Sequence, residues 1–498
     1  MNNTLNVMNW SVAYPEIWLL GMACLVLLAD LFVPAAERQS TTFWLTQIAA
    51  GGFALLHLDG YLEGVTTYAM QGLMVVDPMG ELLAFFAALA VMITLAYARP
   101  TLAARDMAKG EFYMLALFVL LGISVMCSAN NFLVVYLGLE LMSLSLYALT
   151  ALRRDHAVST EAAMKYFVLG ALASGFLLYG MSMMYGATGT LDIPKVFEQI
   201  GTGRINKEVL VFGVVFVVAG LGFKLGAVPF HMWVPDVYQG APTAITLLIG
   251  GAPKLAAFAI TIRLLVEGLS GIGADWQQML VVLSIGSMVL GNLVAIAQTN
   301  LKRMLAYSSI AQMGFMLLGL TPTVVGMNTF SAANGYSSSM FYIVTYVLTT
   351  LGSFGMVMLL SRQGFESEQI SDLKGLAKRS PWFALVMTVI MLSLAGLPPT
   401  VGFYAKLAVL QAVVSTNVGG YIALAVVAVL MSLVGAFYYL RVIKVMYFDE
   451  PTDTHPIVST GEMRLVLSIN GAAVLVFGLL PDGLMTVCRE AIVKALTT

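Results

Sequence analysis

The sequence predicts an all-α polytopic membrane protein of about 14 transmembrane helices. Of its 498 residues, 59% are apolar and only 10% are charged, whereas soluble domains carry about 25% charged residues. The mean hydropathy is +0.88. Apolar runs of about 20 residues recur from end to end, each long enough to cross a hydrocarbon core of ~30 Å. No polar stretch is long enough for a separate soluble domain.

The predicted spans follow the apolar runs. They lie near residues 12–33, 42–60, 73–98, 111–129, 131–152, 161–187, 208–240, 242–267, 276–299, 302–320, 333–361, 381–416, 420–448 and 464–486. The first run contains Glu16 and Asp30, no basic residue precedes it, and it has no small-residue cleavage site. We therefore interpret it as a retained helix rather than a signal peptide.

Basic residues alternate between the loops. One side carries Arg38, Arg99, Arg105, Lys109, Arg153, Arg154, Lys302, Arg303, Arg362, Lys374, Lys378, Arg379, Arg441, Lys444 and Arg464. The positive-inside rule makes this side cytoplasmic and places both termini outside, in the periplasm. The segment 188–207 does not fit, because Lys195, Arg204 and Lys207 would lie on the outer face.

Two spans are interrupted by proline. One contains Gly226-Ala-Val-Pro229 with Lys224 before it, and the other contains Gly396-Leu-Pro-Pro399 with Lys406 after it. They lie five spans apart, so the units that contain them have opposite orientations, as in inverted repeats with broken helices. We expect the following division of the chain: a three-helix segment 1–110, a five-helix unit 111–267, an inverted five-helix unit 268–448 and a C-terminal helix 449–498.

Ionisable residues inside the spans are candidate functional residues, because a Lys or Glu at mid-bilayer costs ~2.5–3.5 kcal/mol to insert. Glu140 lies in the middle of span five, and Lys224 lies beside the first break. If this pair can separate and rejoin, Lys224 can release and recover a proton. The alternatives are a carboxylate that only packs, and a static ion pair between two helices.

Four further residues extend this set. Lys254 follows Pro253 deep in span eight without a local acidic partner, so it must face a polar interior. Lys406 follows the second break and either relays protons or snorkels to an interface. His231 can relay protons because its two nitrogens donate and accept, or it only satisfies freed carbonyls. Lys165 is either a relay group or a surface ion-pair partner of Glu161.

Other classes of site are disfavoured. The cysteines Cys24, Cys127 and Cys488 are far apart and match no iron–sulfur or zinc spacing. The four histidines are scattered, which argues against a metal site. No Rossmann or Walker pattern predicts a nucleotide site, and a net charge of −2 gives no basic patch for nucleic acid. Buried lysines suit a proton better than a sugar or a large anion.

Three segments carry a family resemblance: PFHMWVPDVYQGAPT (229–243), LKRMLAYSSIAQMGF (301–315) and GLPPTVGFYAKL (396–407). They resemble the antiporter-like membrane subunits of bacterial proton-pumping NADH:quinone oxidoreductase, respiratory complex I. The resemblance covers nearly the whole chain. Within the family, the residues that follow Asp236 and the lysine at 406 resemble the subunit N branch, which is subunit 2 in mitochondria.

The resemblance implies a proton-relay role for Glu140, Lys224, Lys254 and Lys406, with His231 between the first lysines and Lys165 as a weaker member. It implies sibling antiporter-like subunits and other complex I membrane subunits as partners, in the bacterial cytoplasmic (inner) membrane. NADH, FMN, iron–sulfur clusters and quinone would then belong to partner subunits, so this chain carries no redox site. The alternatives are a stand-alone Na⁺/H⁺ antiporter component, which would need more carboxylates, and a structural scaffold.

Overall fold

A computed structural model describes residues 9–105, 107–322, 329–362, 365–451, 455, 457 and 459–497. The predicted all-α membrane architecture is confirmed. Within these residues, eleven stretches of helix are long and apolar enough to cross a membrane, and the halves of a further broken span are shorter. The periplasmic location of both chain ends stays a prediction.

Three helices precede the repeated units: α1 (Tyr14–Phe32), α2 (Ala35–Glu63) and α3 (Pro78–Ala104). The predicted start of span three at 73 is wrong. A short antiparallel hairpin of β1 (Thr67–Ala69) and β2 (Met74–Val76) occupies that apolar stretch. The helix begins only after Asp77, whose carboxylate accepts a hydrogen bond from Gly80 N at 2.8 Å and caps the first turn.

The first unit begins with three long helices and ends with two interrupted spans. Its helices are α4 (Gly110–Ser128), α5 (Phe132–Thr150), α6 (Ala157–Thr188), α7 (Ile193–Gly201), α8 (Lys207–Leu225), α9 (Trp233–Gly240), α10 (Thr243–Gly250) and α11 (Pro253–Thr261), which continues as a π-helical turn, Ile262–Glu267. The break in span seven is confirmed. Span eight, predicted as one helix loosened at Pro253, is divided at Gly251.

The second unit repeats this order. Its helices are α12 (Gly273–Ile296), α13 (Leu301–Leu320), α14 (Thr329–Leu360), α15 (Leu376–Arg379), α16 (Pro381–Ala395), α17 (Val401–Val414) and α18 (Gly419–Phe448). The break in span twelve lies between α16 and α17, as predicted. Each broken helix ends at a glycine with left-handed backbone geometry, Gly226 at φ +77° and Gly396 at φ +81°, a conformation that glycine adopts without strain.

The C-terminal segment contains two helices rather than the one predicted over 464–486. They are α19 (Gly461–Leu479) and α20 (Asp482–Thr497). The chain breaks at Leu480 and Pro481 because proline cannot donate the backbone hydrogen bond that would continue α19. Helix α20 buries Cys488, Ala491 and Ile492 and packs against α3 and α14.

Both units contain the same backbone bridge. An asparagine caps the second helix of each unit, Asn131 before α5 and Asn300 before α13. Asn131 bridges Asp192, and Asn300 bridges Gln369. The flanking backbone hydrogen bonds are equivalent: Phe132–Leu191 and Asn130–Ile193 in the first unit, Leu301–Glu368 and Thr299–Ile370 in the second.

This bridge shows which part of the second unit corresponds to the basic segment 188–207. The segment is the counterpart of residues 361–380, which connect the same two spans in the inverted unit. Helix α7 buries Ile193 and Val196, so its apolar side packs inward. Lys195 pairs with Asp192 at 2.6 Å, and Lys207 lies 3.7 Å from Asp275. Two of the three basic residues that broke the charge pattern therefore have acidic neighbours in the repeat.

Candidate functional site

The break in span seven exposes the last carbonyls of α8 inside the bundle. A helix end leaves its final carbonyl groups without intrahelical donors. Trp233 Nε1 donates to Phe223 O at 3.0 Å. Lys254 Nζ donates to Lys224 O at 3.0 Å and to Leu225 O at 2.8 Å. Side chains from beyond the break thus satisfy three successive carbonyls.

Lys254 is almost completely buried, with 1% of its surface exposed. Its ammonium lies at the negative end of the α8 dipole, where a cation is stabilised. The Trp233 ring adds a cation–π contact, since Nζ lies 5.5 Å from the ring centroid. The predicted polar surroundings of Lys254 are therefore backbone carbonyls and an aromatic face, and not an acidic side chain.

Lys224 contacts α5 from the last turn of α8. Its Nζ donates to Ser143 Oγ at 2.8 Å. Glu140 lies one helical turn before Ser143 on the same helix, and its Oε1 atom is buried without a hydrogen-bond partner among the described residues. No ion pair within 4.0 Å joins Lys224 to Glu140. Lys224 therefore contacts Ser143 and not Glu140 here, and the Glu140–Lys224 pair stays a prediction.

His231 lies in the irregular segment between α8 and α9, next to the highly exposed Met232. Its Nδ1 atom is buried and unpaired within the described part of the chain. Lys254 contacts the backbone of Lys224 directly, without an intervening imidazole. A relay position for His231 between the two lysines remains a prediction.

The break in span twelve has a related arrangement. Lys406 Nζ donates to Leu394 O at 3.2 Å and Ala395 O at 3.1 Å, the last carbonyls of α16. It also donates to Ser432 Oγ at 3.0 Å. The side chain is 7% exposed, and Nζ lies 4.8 Å from the Phe315 ring centroid. Its burial inside the bundle argues against snorkelling to an interface.

A network of neutral polar groups surrounds the second break. Gln312 Nε2 donates to Leu394 O at 3.0 Å and to Tyr439 Oη at 3.1 Å. Tyr439 Oη contacts Ser308 Oγ, and Tyr342 Oη donates to Gln312 Oε1. The tyrosines of this network were not among the residues predicted from the sequence. Their signal was the presence of phenol groups inside apolar runs, where a hydroxyl needs a partner.

Lys165 belongs to a different, more exposed ion cluster. Its Nζ lies 2.9 Å from Glu161 and 2.8 Å from Asp236. Asp236 also pairs with Arg303 at 2.7 Å. Lys165 therefore joins α6 to α9 and, through Asp236, to α13 of the second unit. It does not contact Lys224, Lys254 or Lys406 directly.

Lys302 forms a third buried lysine contact to a helix end. Its side chain has no exposed surface, although the sequence suggested a topological anchor. Its Nζ donates to Ala241 O, after the end of α9, at 2.7 Å and to Glu368 Oε1 at 2.9 Å. A cavity of about 520 Å³ adjoins this point and is lined by Arg105, Arg153, Ala241, Glu366 and Glu368, among others.

Glu366 neutralises the basic groups of this cavity. It pairs with Arg105 at 3.0 Å and Arg153 at 3.3 Å. Burial opposes ionisation of the carboxyl, but Lys302, Arg105 and Arg153 together hold the pKa of Glu366 below its usual value. The carboxylate is therefore ionised at neutral pH, and the cavity has a charged lining.

The described residues contain no group of three or more His, Cys, Asp or Glu side chains that could hold a metal ion. Cys24, Cys127 and Cys488 are free thiols. The site consists of lysine ammonium groups, helix carbonyls and one neighbouring carboxylate. Of these, the lysine and carboxyl groups can bind and release protons, while the carbonyls accept hydrogen bonds.

Comparison with known proteins agrees with this fold. Residues 129–432, more than half of the chain, match the family model described as NADH:quinone oxidoreductase/Mrp antiporter, transmembrane. NADH-quinone oxidoreductase subunit N of Herminiimonas arsenicoxydans is 61% identical, over 99% of this chain and 100% of that protein. Subunit N of Nitrosomonas europaea is 54% identical, over 97% and 98%.

Solved structures resemble the chain over almost its full length. A chain of respiratory complex I from Thermus thermophilus with bound aureothin has a TM-score of 0.80 and 30% identity, covering 96% of this chain and 100% of that one. A chain of the Mrp complex from Dietzia sp. has a TM-score of 0.82 at 21% identity, covering 97% and 99%, which shows the shared fold alone. The chain belongs to the NADH-quinone oxidoreductase subunit N family, the antiporter-like membrane subunits of respiratory complex I.

Proposed function

We propose that this chain translocates protons along Glu140, Lys224, Lys254 and Lys406, driven by NADH oxidation and quinone reduction in partner subunits of the complex. The observation that carries the proposal is the position of Lys254 and Lys406. Each buried ammonium lies on the carbonyls of a broken helix. Irregular backbone at membrane depth occurs where it is buried in protein or lines a polar path.

The first break provides two coupled proton positions. The Lys224 side chain contacts Ser143, while the Lys224 carbonyl accepts from Lys254. Two ammonium groups at one helix end repel each other, so the protonation of one depends on the other. Movement of Lys224 from Ser143 towards Glu140, one turn away, would stabilise its charged form. Movement back would favour release of its proton to the next group.

The second break receives the proton. The Gln312, Tyr439 and Tyr342 network reaches the carbonyl of Leu394, which also accepts from Lys406. Hydroxyl and amide groups can support proton movement through hydrogen bonds without carrying a fixed charge. His231 and Lys165 are secondary members of the proposal, at the edge of the first break and in the Asp236 cluster. Protons enter from the cavity beside Lys302 and Glu366, on the predicted cytoplasmic side.

The remaining parts of the proposal concern setting and partners. The chain is a redox-silent subunit of the enzyme, and NADH, FMN, iron–sulfur clusters and quinone are bound by other subunits. Its neighbours are sibling antiporter-like subunits and other membrane subunits of the complex, in the bacterial inner membrane, with both termini periplasmic. The division at 110, 267 and 448 separates the flanking helices from the two inverted units.

A stand-alone Na⁺/H⁺ antiporter is the alternative. Sodium requires oxygen ligands, and carbonyls of unwound helices supply them in sodium-coupled transporters. Here the ammonium groups of Lys254 and Lys406 occupy those carbonyls. Glu140 is the carboxylate that remains close to the first break. This arrangement favours protons over sodium.

The test uses inside-out membrane vesicles from a strain that lacks this chain. NADH-driven dye quenching, sensitive to a quinone-site inhibitor, should be lost and should return when the gene is restored. Lys444→Ala serves as the control in the restored gene, because Lys444 pairs with Asp449 at an exposed site. Unchanged NADH-driven quenching in the deletion strain, together with lost tolerance of sodium or alkali, would overturn the proposal in favour of the antiporter.

A further inference from the structure

A second buried polar cluster lies outside both five-helix units. Glu16 of α1, His57 of α2, Glu81 of α3 and Ser124 of α4 meet at the end of the bundle where α1 and α3 begin. His57 Nδ1 lies 2.7 Å from Glu81 Oε2, and His57 Nε2 lies 3.4 Å from Ser124 Oγ. Ser124 Oγ donates to Glu16 Oε1 at 2.6 Å. Four helices thus contribute one continuous chain of hydrogen bonds.

The directions of these bonds define how many protons the chain holds. Ser124 uses its single proton towards Glu16, so its oxygen accepts from His57 Nε2. His57 Nδ1 and Glu81 Oε2 share one proton, with either atom as the donor. Every bond is therefore satisfied when the His57–Glu81 pair holds two protons, one on Nε2 and one between Nδ1 and Glu81 Oε2. In that state the cluster has a net charge of −1.

The fold provides a fitted, water-poor space for the cluster. His57 is 5% exposed and Glu81 is 6% exposed. The Phe53 ring lies edge-on to the imidazole, with centroids 4.2 Å apart. Gly60 leaves room for the Glu81 carboxyl, because a Cβ atom there would lie 2.8 Å from its carboxyl carbon. These features hold the imidazole and the carboxylate in contact.

The nearest buried arginine, Arg263, forms ion pairs with carboxylates outside the cluster. Asp77 pairs with Arg263 at 2.7 Å, and Arg263 also pairs with Glu267 at 3.1 Å and donates to Cys127 O. Other titratable groups near this end of the bundle include Tyr14 of α1, Asp59 and Tyr61 of α2, Tyr68 of β1, Cys127 of α4, and Glu490 and Lys494 of α20, of which Lys494 lies beside Gly64. Arg263 is therefore not available to neutralise Glu16 or Glu81.

One carboxylate oxygen of the cluster has no hydrogen-bond donor. Glu16 Oε2 is buried and has no hydrogen-bond partner among the described residues. The space between Glu16, His57, Glu81 and Ser124 has a volume of only about 10 Å³, at the lower limit for a single water molecule. A hydrated metal ion does not fit there, whereas a proton does.

We propose that Glu16, Ser124, His57 and Glu81 form a proton-binding site at the outer end of the N-terminal three-helix segment. The site exchanges a proton with the aqueous phase on the side where α1 and α3 begin, the predicted periplasmic face. It is separate from the lysine path through the two broken helices. It adds a titratable position to a part of the chain that lies outside both repeats.

The test is the reaction of the intact purified complex with dicyclohexylcarbodiimide. A protonated carboxyl in an apolar site transfers its proton to a carbodiimide nitrogen, and its oxygen adds to the central carbon. The adduct rearranges to a stable N-acylurea that keeps all atoms of both reactants. Peptide mass spectrometry then gives the labelled fraction of Glu16 and Glu81 between about pH 9 and about pH 6.

Labelling of at least one of the two carboxyls should rise as the pH falls. In His57→Asn, labelling at about pH 8 should rise at least about threefold, because the two carboxyl groups lose the imidazole that takes up a proton between them and share that proton instead. Asp59→Asn is the control. Asp59 lies two residues after His57 on α2 but is exposed, so this variant should keep the wild-type profile.

Two results would overturn the site: no labelling of Glu16 or Glu81 at any pH, or labelling that does not depend on pH. If His57→Asn fails to assemble, the wild-type profile alone decides. The same measurement on Lys224→Ala separates this inference from the lysine relay. Labelling of the cluster should be unchanged in that variant, whatever happens to NADH-driven pumping.

Discussion

The two helix breaks differ in how they hold their lysines. At the first break, Lys254 arrives from the next span and Lys224 from the last turn of the broken helix itself. At the second break, Lys406 comes from the second half of the same span. The position two residues before the helix-ending glycine is Lys224 at the first break but the neutral Leu394 at the second. The first break thus has two ammonium groups and a neighbouring carboxylate, and the second has one ammonium group.

The difference extends to the partners of the freed carbonyls. Among the described residues, Lys254 is the side-chain donor to both Lys224 O and Leu225 O, whereas Leu394 O accepts from Gln312 as well as from Lys406. The first break depends on its buried lysine for satisfaction of the helix end. The second shares that task with a neutral network. The same kind of helix break therefore occurs once with two lysines and a nearby carboxylate and once with a single lysine.

The largest effect is expected for Lys254→Met. The variant leaves two buried carbonyls without a donor, at a cost of about 1–3 kcal/mol each, and removes a proton carrier. NADH-driven quenching in inside-out vesicles should fall about tenfold or more, with less assembled complex on a native gel. Lys444→Ala is the matched control. Wild-type pumping by an assembled Lys254→Met complex would contradict the role of this lysine.

Lys406→Met should separate pumping from stability. Gln312 still donates to Leu394 O, and Ser432 Oγ lies 3.4 Å from Ala395 O, so the helix end keeps polar contacts. We expect pumping to fall as far as in Lys254→Met, with a loss of stability of only about 1 kcal/mol. Thermal unfolding of both purified complexes compares the two. An equal loss of stability would contradict the proposed difference between the breaks.

Ser143→Ala distinguishes the two possible partners of Lys224. Loss of this hydrogen bond should cost about 0.5–1.5 kcal/mol and leave most pumping intact, because Lys224 can turn to Glu140. Glu140→Gln should lower pumping strongly while Ser143 still holds the lysine. Quenching rates per NADH oxidised, measured for both variants, check this order. The reverse order would show that the serine, and not the carboxylate, controls the lysine.

The smallest effect concerns the connecting segments of the two units. Burial opposes ionisation of Asp192, but Lys195 and Asn131 hold its pKa below the usual value; Lys302, Arg105 and Arg153 do the same for Glu366. Stability from such a carboxylate is fully present above its ordinary pKa of about 4 and is lost as the pH falls through the lowered pKa.

For Glu366→Gln we therefore expect a lower Tm at neutral pH, by the equivalent of about 1 kcal/mol because the group is partly exposed. The difference from wild type should shrink below about pH 4. Asp192→Asn, in the first unit, should show the same trend with a smaller amplitude, because Asp192 interacts with one cation, Lys195, whereas Glu366 interacts with three. A difference that stays constant with pH would contradict the electrostatic cause.

Much of the fold could be predicted from the sequence because its signals are local. Apolar length gave the spans, and Gly226 and Gly396 with their following prolines gave the breaks. Other elements have ambiguous local patterns. The stretch Met74–Val76 is apolar enough for a helix but forms a strand, and the break at Pro481 lies inside an apolar run that resembled one span.

The lysines of the site were predictable as individuals, but their contacts were not. Lys254 bonds to carbonyls about thirty residues earlier in the chain, and no spacing rule connects them. Glu140 and Ser143 lie on one face of α5, so the sequence could not indicate which of them a flexible lysine side chain contacts. His57 appeared as one of four scattered histidines until the fold placed it against Glu81.

The most direct test of the lysine relay is the number of protons moved per NADH oxidised in Lys224→Ala. The ratio is measured in inside-out vesicles that contain equal amounts of assembled complex, with Lys444→Ala as the control. Proton transfer through Lys224 predicts a strongly reduced ratio in Lys224→Ala and a wild-type ratio in the control. A wild-type ratio in Lys224→Ala would contradict the central claim, because protons would then cross without the ammonium group at the first break.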